Sequence, residues 1–503
     1  MDKVEERKEK IKNWLKNPYN LALVGLLLLA FIIRLYYFFL TKNQPLWWDE
    51  AEYLLKAKNI AFGTPDTGWW AAGRPILFPV IASIFFKIGL GEIGLRFFYM
   101  LLSIFNILLI FLITKRLFNE KIALISSFLY SFFYIDFFYT FRLLVDLPQI
   151  SFILLATYLF IEGYLINYKP KYIWFILPVL VIGILLRFTI ALFLFILGIF
   201  LLITEGFKIF KNKDWWISAL LAGLCYIPYW MWSYIKFKSV NPLYTILYVF
   251  GTTQVSRAPG DTPFNVFMTY IKYLPNYAGY LLFLIFLIGL SFLILDIGLG
   301  FDNIRKNLLL KKQVFVLLSL FIPLIYFGFL VNHFEDRYIF MLFPYFFSII
   351  GFSLEKLKDY ITVYHRKLAV IMIVLVILFG SYQMMAHSNS ILKIKIDSYK
   401  DVKDAGLWIK ENSGPSDIII SASTSQNTYY SERSTYSSSP FQNLTSFEAN
   451  ISELKPIFFV VSIFEKIPEW VYTYPQENNL TVVQAYFLDV ERTKPSLIIY
   501  KFS

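Results

Sequence analysis

Runs of about 20 apolar residues recur along most of this chain, and that is the length a helix needs to cross a bilayer. Such runs lie near 21–40, 93–114, 120–140, 147–166, 172–187, 188–204, 214–236, 276–297, 313–332, 338–356 and 368–386. Backbone polar groups in hydrocarbon must find partners within their own segment, so these runs predict helices rather than open sheet. With 57% hydrophobic and 16% charged residues in 503, the chain has too little polar surface for a water-soluble domain of its size. The net charge of +12 does not point to nucleic acid. Its lysines and arginines group between the apolar runs, as they do in loops facing anionic headgroups. The single cysteine, Cys225, excludes an internal disulfide. The N-terminal stretch MDKVEERKEKIKNWLKN is long and charged, and no small-residue cleavage site follows the first apolar run, which therefore reads as an uncleaved anchor.

The run 76–90 is different. Its fifteen residues would rise only about 22 Å, short of a hydrocarbon core of about 30 Å. Placed along the interface, it leaves about eleven spans and puts the basic clusters on one side: the N-terminal lysines, Lys115/Arg116/Lys121, Lys169/Lys171, Lys208/Lys211/Lys213, Arg305/Lys306/Lys311/Lys312 and Lys356/Lys358/Arg366/Lys367. Counted as a span, it moves every later cluster outside, against the positive-inside bias. The N-terminus is then cytoplasmic, and segments 41–92, about 141–146, 237–275 and 387–503 lie outside. Segment 41–92 carries two surface helices, about 49–62 and 75–90. Segment 237–275, with Pro242, Gly251, Pro259-Gly260 and Pro263, reads as an irregular, mobile loop. From 387 the composition changes: a helix at about 398–412, strand-like runs DIIISAS, IFFVVSIF, LTVVQAYFL and SLIIYKF, and a short helix near 466–472 predict a small α/β domain. Sequons at Asn443, Asn450 and Asn479 all fall in this tail and fit its outward placement. Three parts follow: a basic segment 1–20, a membrane domain 21–386 and an extracytoplasmic domain 387–503.

Ionisable residues near membrane depth are costly, and here they gather at the outer ends of different spans: Asp49, Glu50, Glu52, Arg74, Glu92, Arg96, Asp136, Arg142, Asp146, Arg187, His333, Glu335, Asp336 and Arg337. Carboxylates can act as a general base and arginines can hold phosphate, so a pocket with both suits an anionic, lipid-linked substrate. Each signal also has a plainer account. Asp49 opens a helix and can cap it, with Glu50 favouring the helix dipole. Arg74 and Arg34 can snorkel to the interface. Asp146 precedes Pro148 in a first helical turn and can pair with Arg142. Arg187 divides a long apolar stretch and can be an outer turn residue. Glu335 to Tyr338, with His333 before them, can be an interfacial belt, and Trp47, Trp48, Trp69 and Trp70 can be belt residues rather than a sugar-stacking surface.

In order, PLWWDEAEYLLKAKNIAFG, GRPILFPVIASIFFKIGLGEIGLRFFYMLLSI, TFRLLVDLPQISFILLA and NHFEDRYIFMLFPYFF resemble the GT-C superfamily of membrane glycosyltransferases, over roughly residues 20–385. The nearest branch is that of the protein O-mannosyltransferases and aminoarabinose transferases. The resemblance implies a polytopic α-helical GT-C membrane protein with a small C-terminal extracytoplasmic α/β domain. It implies a hexosyl- or pentosyltransferase at the outer face of the plasma membrane. The donor would be a sugar on a polyprenyl phosphate, and the acceptor a protein, lipid or glycan hydroxyl. It places the general base at Asp49 with Glu50 beside it and a second acid at Asp146. Arg74 and Arg96 become phosphate contacts, and Arg337-Tyr338 match a pair that orients donor or acceptor; Arg142, Arg187 and His333 join them as candidate donor-binding residues. Gly73-Arg74-Pro75 stands where protein O-mannosyltransferases often carry His-Pro-Pro, which leaves a Ser/Thr acceptor unsupported, and no WWDYG-type signature is present. Three histidines and no carboxylate triad assign no metal site, while some relatives need a divalent cation, so Mg or Mn stays open. A polyprenyl-lipid transporter or flippase, or a non-catalytic envelope-assembly protein, would also show many spans with charges at their ends; a transporter would more often show internal repeats and midplane charges.

Overall fold

The computed structural model describes residues 3–67, 70, 74–252, 262–331, 333–437 and 444–502. Trp69, Gly73, Pro259-Gly260 and Asn443 lie outside the described residues. By length and composition, eight helical stretches among the described residues can cross a membrane: Pro18–Thr41, Gly91–Leu117, Asp146–Leu165, Phe188–Lys211, Tyr280–Leu299, Leu308–Leu330, Asp336–Thr362 and Arg366–Glu411. Two shorter apolar helices, Leu77–Lys87 and Pro170–Ile184, and the 25-residue helix Lys213–Phe237 pack among them. The chain is thus an integral membrane protein of mostly helical build.

The run 120–140, expected as one span, is two helices, Glu120–Tyr130 and Tyr134–Tyr139. At the break the amides of Ser131, Phe132 and Phe133 donate three residues back, to Phe128, Leu129 and Tyr130, so the turn tightens without orphaning them. Tertiary contacts favour the break. The Phe133 ring packs 4.4 Å from Phe343 between centroids, and Asp136 reaches a fully buried network. There Arg34 Nη2 meets Asp136 Oδ2 at 3.0 Å, Arg34 Nε donates to Ser103 at 2.8 Å, and Ser103 and Tyr130 both donate to Asp136 at 2.6 and 3.2 Å. Arg34 therefore does not snorkel; it is enclosed, because its carboxylate partner lies at its own depth.

The segment 237–275 is also more regular than its prolines suggested. It contains helices Tyr244–Thr252 and Pro263–Ala278, the second opened by Pro263 at its first position and by Thr262, whose hydroxyl accepts from the Asn265 amide at 3.2 Å. The two surface helices appear as Trp48–Phe62 and Leu77–Lys87. The second is 11 residues, about 17 Å, too short to cross. They are joined by the Tyr53 ring, set edge-on to Phe78 at 5.3 Å and to Trp70 at 5.9 Å.

After the 30-residue helix Arg366–Lys395, the tail forms helix Lys400–Glu411 and a five-stranded sheet. Its strands are β1 (Ile418–Ser421), β2 (Ser434–Tyr436), β3 (Phe458–Ser462), β4 (Thr481–Phe487) and β5 (Pro495–Lys501), in the order β2-β1-β3-β5-β4. β1 pairs parallel with β2 and β3, and β5 antiparallel with β3 and β4. Alternate β3 residues face opposite sides: Phe458 and Val460 pack with Val402 and Ile409, while Phe459 and Val461 pack with Phe447 and Tyr474. Both faces are covered, which explains the unbroken apolar run of that strand.

Because the Arg34–Asp136 pair is fully buried, removing one partner strands a charge. Arg34→Met is expected to destabilise the detergent-solubilised protein by about 3–5 kcal/mol, while Arg34→Met with Asp136→Leu recovers most of that loss. Thermal unfolding of the two variants reads the difference; equal melting temperatures would remove the pair as a structural element.

Candidate active site

Glu50 and Asp49 are neighbours at the start of helix Trp48–Phe62 but point to different work. Glu50 is fully buried; its Oε2 accepts from the Trp47 amide at 2.7 Å and its Oε1 from the Leu143 amide at 2.6 Å. Capping thus falls to Glu50, three residues into the helix, in the manner of a capping box. The Asp49 carboxylate is left free to face a cavity of about 290 Å³.

That cavity collects seven of the candidate residues: Asp49, Arg74, Asp146, Arg187, His333, Arg337 and Tyr338. They form a lattice of alternating charge. Arg74 Nη2 sits 3.1 Å from Asp49 Oδ1, and its Nη1 bonds Glu52. Arg337 Nη2 lies 3.4 Å from Asp49 Oδ2, its Nη1 3.8 Å from Asp146 Oδ2, and its Nε bonds Glu335. Arg187 pairs with Asp146 and stands 5.6 Å from the Tyr338 ring centre. His333 Nε2 is 2.9 Å from the Tyr338 hydroxyl. Asp146 thus pairs with Arg187 across the cavity and not with Arg142 along its own turn. Its Oδ2 is buried without a hydrogen-bond donor.

Three candidates lie behind the cavity rather than on it. Glu50 is one. Arg96 is buried, donating to the carbonyls of Phe141 at 2.7 Å and Gln44 at 3.3 Å and pairing with Glu92 at 2.8 Å. Arg142 donates to the carbonyls of Lys395 at 2.8 Å and Pro45 at 3.3 Å, reaches Glu50 at 3.4 Å, and lies 4.2 Å from the Trp47 ring centre. Bonded to main-chain oxygens and to the carboxylates of Glu92 and Glu50, these arginines clamp chain segments together and do not line the cavity.

The cavity also brings in residues that no sequence signal singled out, Tyr53, Thr189, Tyr326 and Phe327, while Glu52 and Glu335, expected only as outer-end charges, bond to its arginines. Glu52 was legible in principle, since it lies three residues beyond Asp49 and so on the same helical face. Tyr326 and Phe327 sit on the widened turn Tyr326–Leu330, a wide-pitched helical insertion often found at functional sites. Tyr270 of helix Pro263–Ala278 supports the far wall by donating to the Glu335 carbonyl at 3.1 Å. A second, more open cavity of about 390 Å³ meets the first at Asp49 and Arg337; Trp47, Trp48, Tyr139, Glu335, Lys395, Ser398 and Tyr399 complete it. An apolar groove of about 220 Å³, lined by Phe78, Leu95, Tyr99, Pro148 and Phe152, adjoins the charged cavity at Leu186. Among the described residues no three His, Cys, Asp or Glu side chains converge as cation ligands.

The family described as dolichyl-phosphate-mannose-protein mannosyltransferase matches residues 73–232. Among solved structures, ArnT from Cupriavidus metallidurans bound to undecaprenyl phosphate is 11% identical with a TM-score of 0.64, over 95% of this chain and 97% of that one. AglB from Archaeoglobus fulgidus, in complex with an inhibitory peptide and a dolichol-phosphate, is 13% identical with a TM-score of 0.66, over 96% of this chain and 74% of that one. No curated protein matches the chain significantly by sequence. The chain shares the fold of these two solved structures.

Burial pushes the Glu52 carboxyl up to about 6, opposed by Arg74 and assisted by Asp49. A carboxyl held above its ordinary 4.5 favours the fold while neutral, so that contribution is full below 4.5 and is lost as pH rises through about 6. Glu52→Gln is expected to flatten the fall in melting temperature across this window. A variant whose profile parallels wild type would show that Glu52 does not titrate there.

Proposed function

We propose that the chain is an inverting glycosyltransferase that moves a sugar from a polyprenyl-phosphate donor to an acceptor hydroxyl. The observation that carries this reading is the position of Asp49, a carboxylate held between two arginines where two cavities meet. One cavity is rich in guanidinium groups and borders an apolar groove at Leu186, a combination that suits a phosphate attached to an isoprenoid chain. The other is open, lined by aromatic rings and a lysine, and suits an incoming acceptor. The relatives in fold bind undecaprenyl phosphate or dolichol-phosphate, which supports the donor class.

In this reading Asp49 takes the proton of the acceptor hydroxyl as its oxygen attacks the sugar C1. The new C1–O bond forms on the face opposite the departing phosphate, so the anomeric centre inverts. The electron pair of the broken C1–O bond goes to the phosphate, leaving polyprenyl phosphate. Arg74, Arg187 and Arg337 stabilise the charge that develops there; positioned donors of this kind contribute most when they are oriented in advance. The Asp146 oxygen that lacks a hydrogen bond, with Arg337 3.8 Å away, accepts one from a sugar hydroxyl. The site end of the bundle faces outward, with the N-terminus cytoplasmic, in accord with the distribution of basic loops. The proposed steps use side chains only; transfer with and without EDTA tests a need for Mg or Mn.

The experiment is transfer by purified protein in detergent, from radiolabelled polyprenyl-phosphate sugars to crude envelope acceptors. Asp49→Asn is expected to lower kcat at least about 100-fold, in the range for loss of a general base. Equal transfer by variant and wild type would pass the role of base to Asp146. No transfer from any donor, with lipid scrambling by the wild type, would make the protein a transporter.

A further inference from the structure

Three helices that deliver residues to the charged cavity share a second feature at their other ends. Asp146 opens helix Asp146–Phe160, Arg187 follows helix Pro170–Ile184, and Thr189 precedes helix Ala191–Glu205. Their far ends, with the start of helix Lys213–Phe237, frame an open groove of about 900 Å³ lined by Tyr168, Lys171, Trp174, Lys208, Lys211 and Lys213 together with Asp214. The groove therefore lies across the bundle from the site.

Its charge is unbalanced by construction. Nearby cations are already neutralised: Arg116 and Lys169 pair with Glu162, and Lys311 pairs with Glu205. In the groove four lysines face one aspartate. Both Asp214 oxygens are taken, one by Trp174 Nε1 at 2.9 Å and the other by the Tyr168 hydroxyl. These bonds hold buried Asp214 in the floor, while all four lysines are exposed.

The surroundings set its depth. Turn Gly206–Lys211 mixes apolar and basic residues: Phe207 and Phe210 are 81% and 59% exposed and stacked with centroids 6.4 Å apart, while Lys208 and Lys211 reach the groove. Rings this exposed belong in lipid, and lysines beside them at headgroup level. From the groove, Trp216, Leu220, Leu224 and Ile227 form an exposed apolar stripe along helix Lys213–Phe237, at the three- and four-residue spacing of one helical face.

We propose that this groove binds an anionic phospholipid from the leaflet opposite the site, with the phosphate among Lys171, Lys208, Lys211 and Lys213 and the acyl chains along the stripe. A basic pocket between helices with a lipid-facing track below it is the geometry that such a headgroup requires. The groove ties down the far ends of the helices that carry Asp146 and Arg187, and its occupancy does not depend on the transfer reaction.

Native mass spectrometry of the full chain in detergent tests this with phosphatidylglycerol and phosphatidylcholine of matched acyl chains. The wild type is expected to retain phosphatidylglycerol at least about tenfold more strongly. Lys208→Gln, Lys211→Gln and Lys213→Gln combined should bring the ratio close to one, and the three Arg replacements at the same positions should restore it. A wild type without preference would overturn the proposal, as would a Gln triple that keeps it. So would equal loss from Lys356→Gln, Arg366→Gln and Lys367→Gln at the same end of the bundle, since a diffuse surface field would then account for binding.

Discussion

The carboxylate of Glu50 accepts from the amide of Trp47 in its own helix and from that of Leu143 in a segment 93 residues away, and Arg142 closes the same contact. A fully buried charge is tolerated only when it is paired and hydrogen-bonded on several sides. That requirement ties the first surface helix to the segment between Tyr139 and Asp146 in one register. The neighbouring side chains then have no choice of direction: Asp49, one residue before Glu50, turns toward the cavity, and Asp146, three residues after Leu143, opens the helix on its other wall. Arg142 and Arg96 extend the tie to main-chain oxygens of residues 44, 45, 141 and 395. The site's geometry is therefore held from behind by a layer of buried charge.

The cavity applies the same electrostatics without closing it. Arg74, Arg187 and Arg337 pair with carboxylates at the wall of a cavity, and under the proposed function a phosphate would join them there. Pairs such as Arg34–Asp136 are sealed from solvent. Depth and access, rather than residue type, separate the arginines sealed within the fold from those that line the cavity.

This also explains how much was legible in the sequence. Long apolar runs gave the membrane helices, and the strand-like runs at Ile418, Phe458, Thr481 and Pro495 appear as β1, β3, β4 and β5. The short strand Ser434–Tyr436 has no apolar pattern, and its place depends on pairing with β1. Asp49, Arg74, Asp146 and Arg337 could be picked out because charge at the end of an apolar run is costly. Glu50, Arg96 and Arg142 carry that same signal. A one-dimensional pattern cannot show whether a charge near lipid depth finds a neighbouring carbonyl or an open cavity. The break at Ser131–Phe133 was hidden for a related reason: neither glycine nor proline marks it, and the partners of Asp136 come from elsewhere in the chain.

The helix Arg366–Lys395 has 30 residues and so extends about 45 Å, well beyond a hydrocarbon core of about 30 Å. It ends where the Lys395 carbonyl accepts from Arg142 and where Lys395 and Tyr399 border the open cavity. Such a rod works as an indexed shaft. Each residue added to or removed from it would turn the sheet domain by about 100° and shift it by about 1.5 Å along the axis. The rim of the open cavity would turn with it. Its shape is thus coupled to the length of a membrane helix, and relatives with shafts of different length would present differently shaped entrances above the same charged floor.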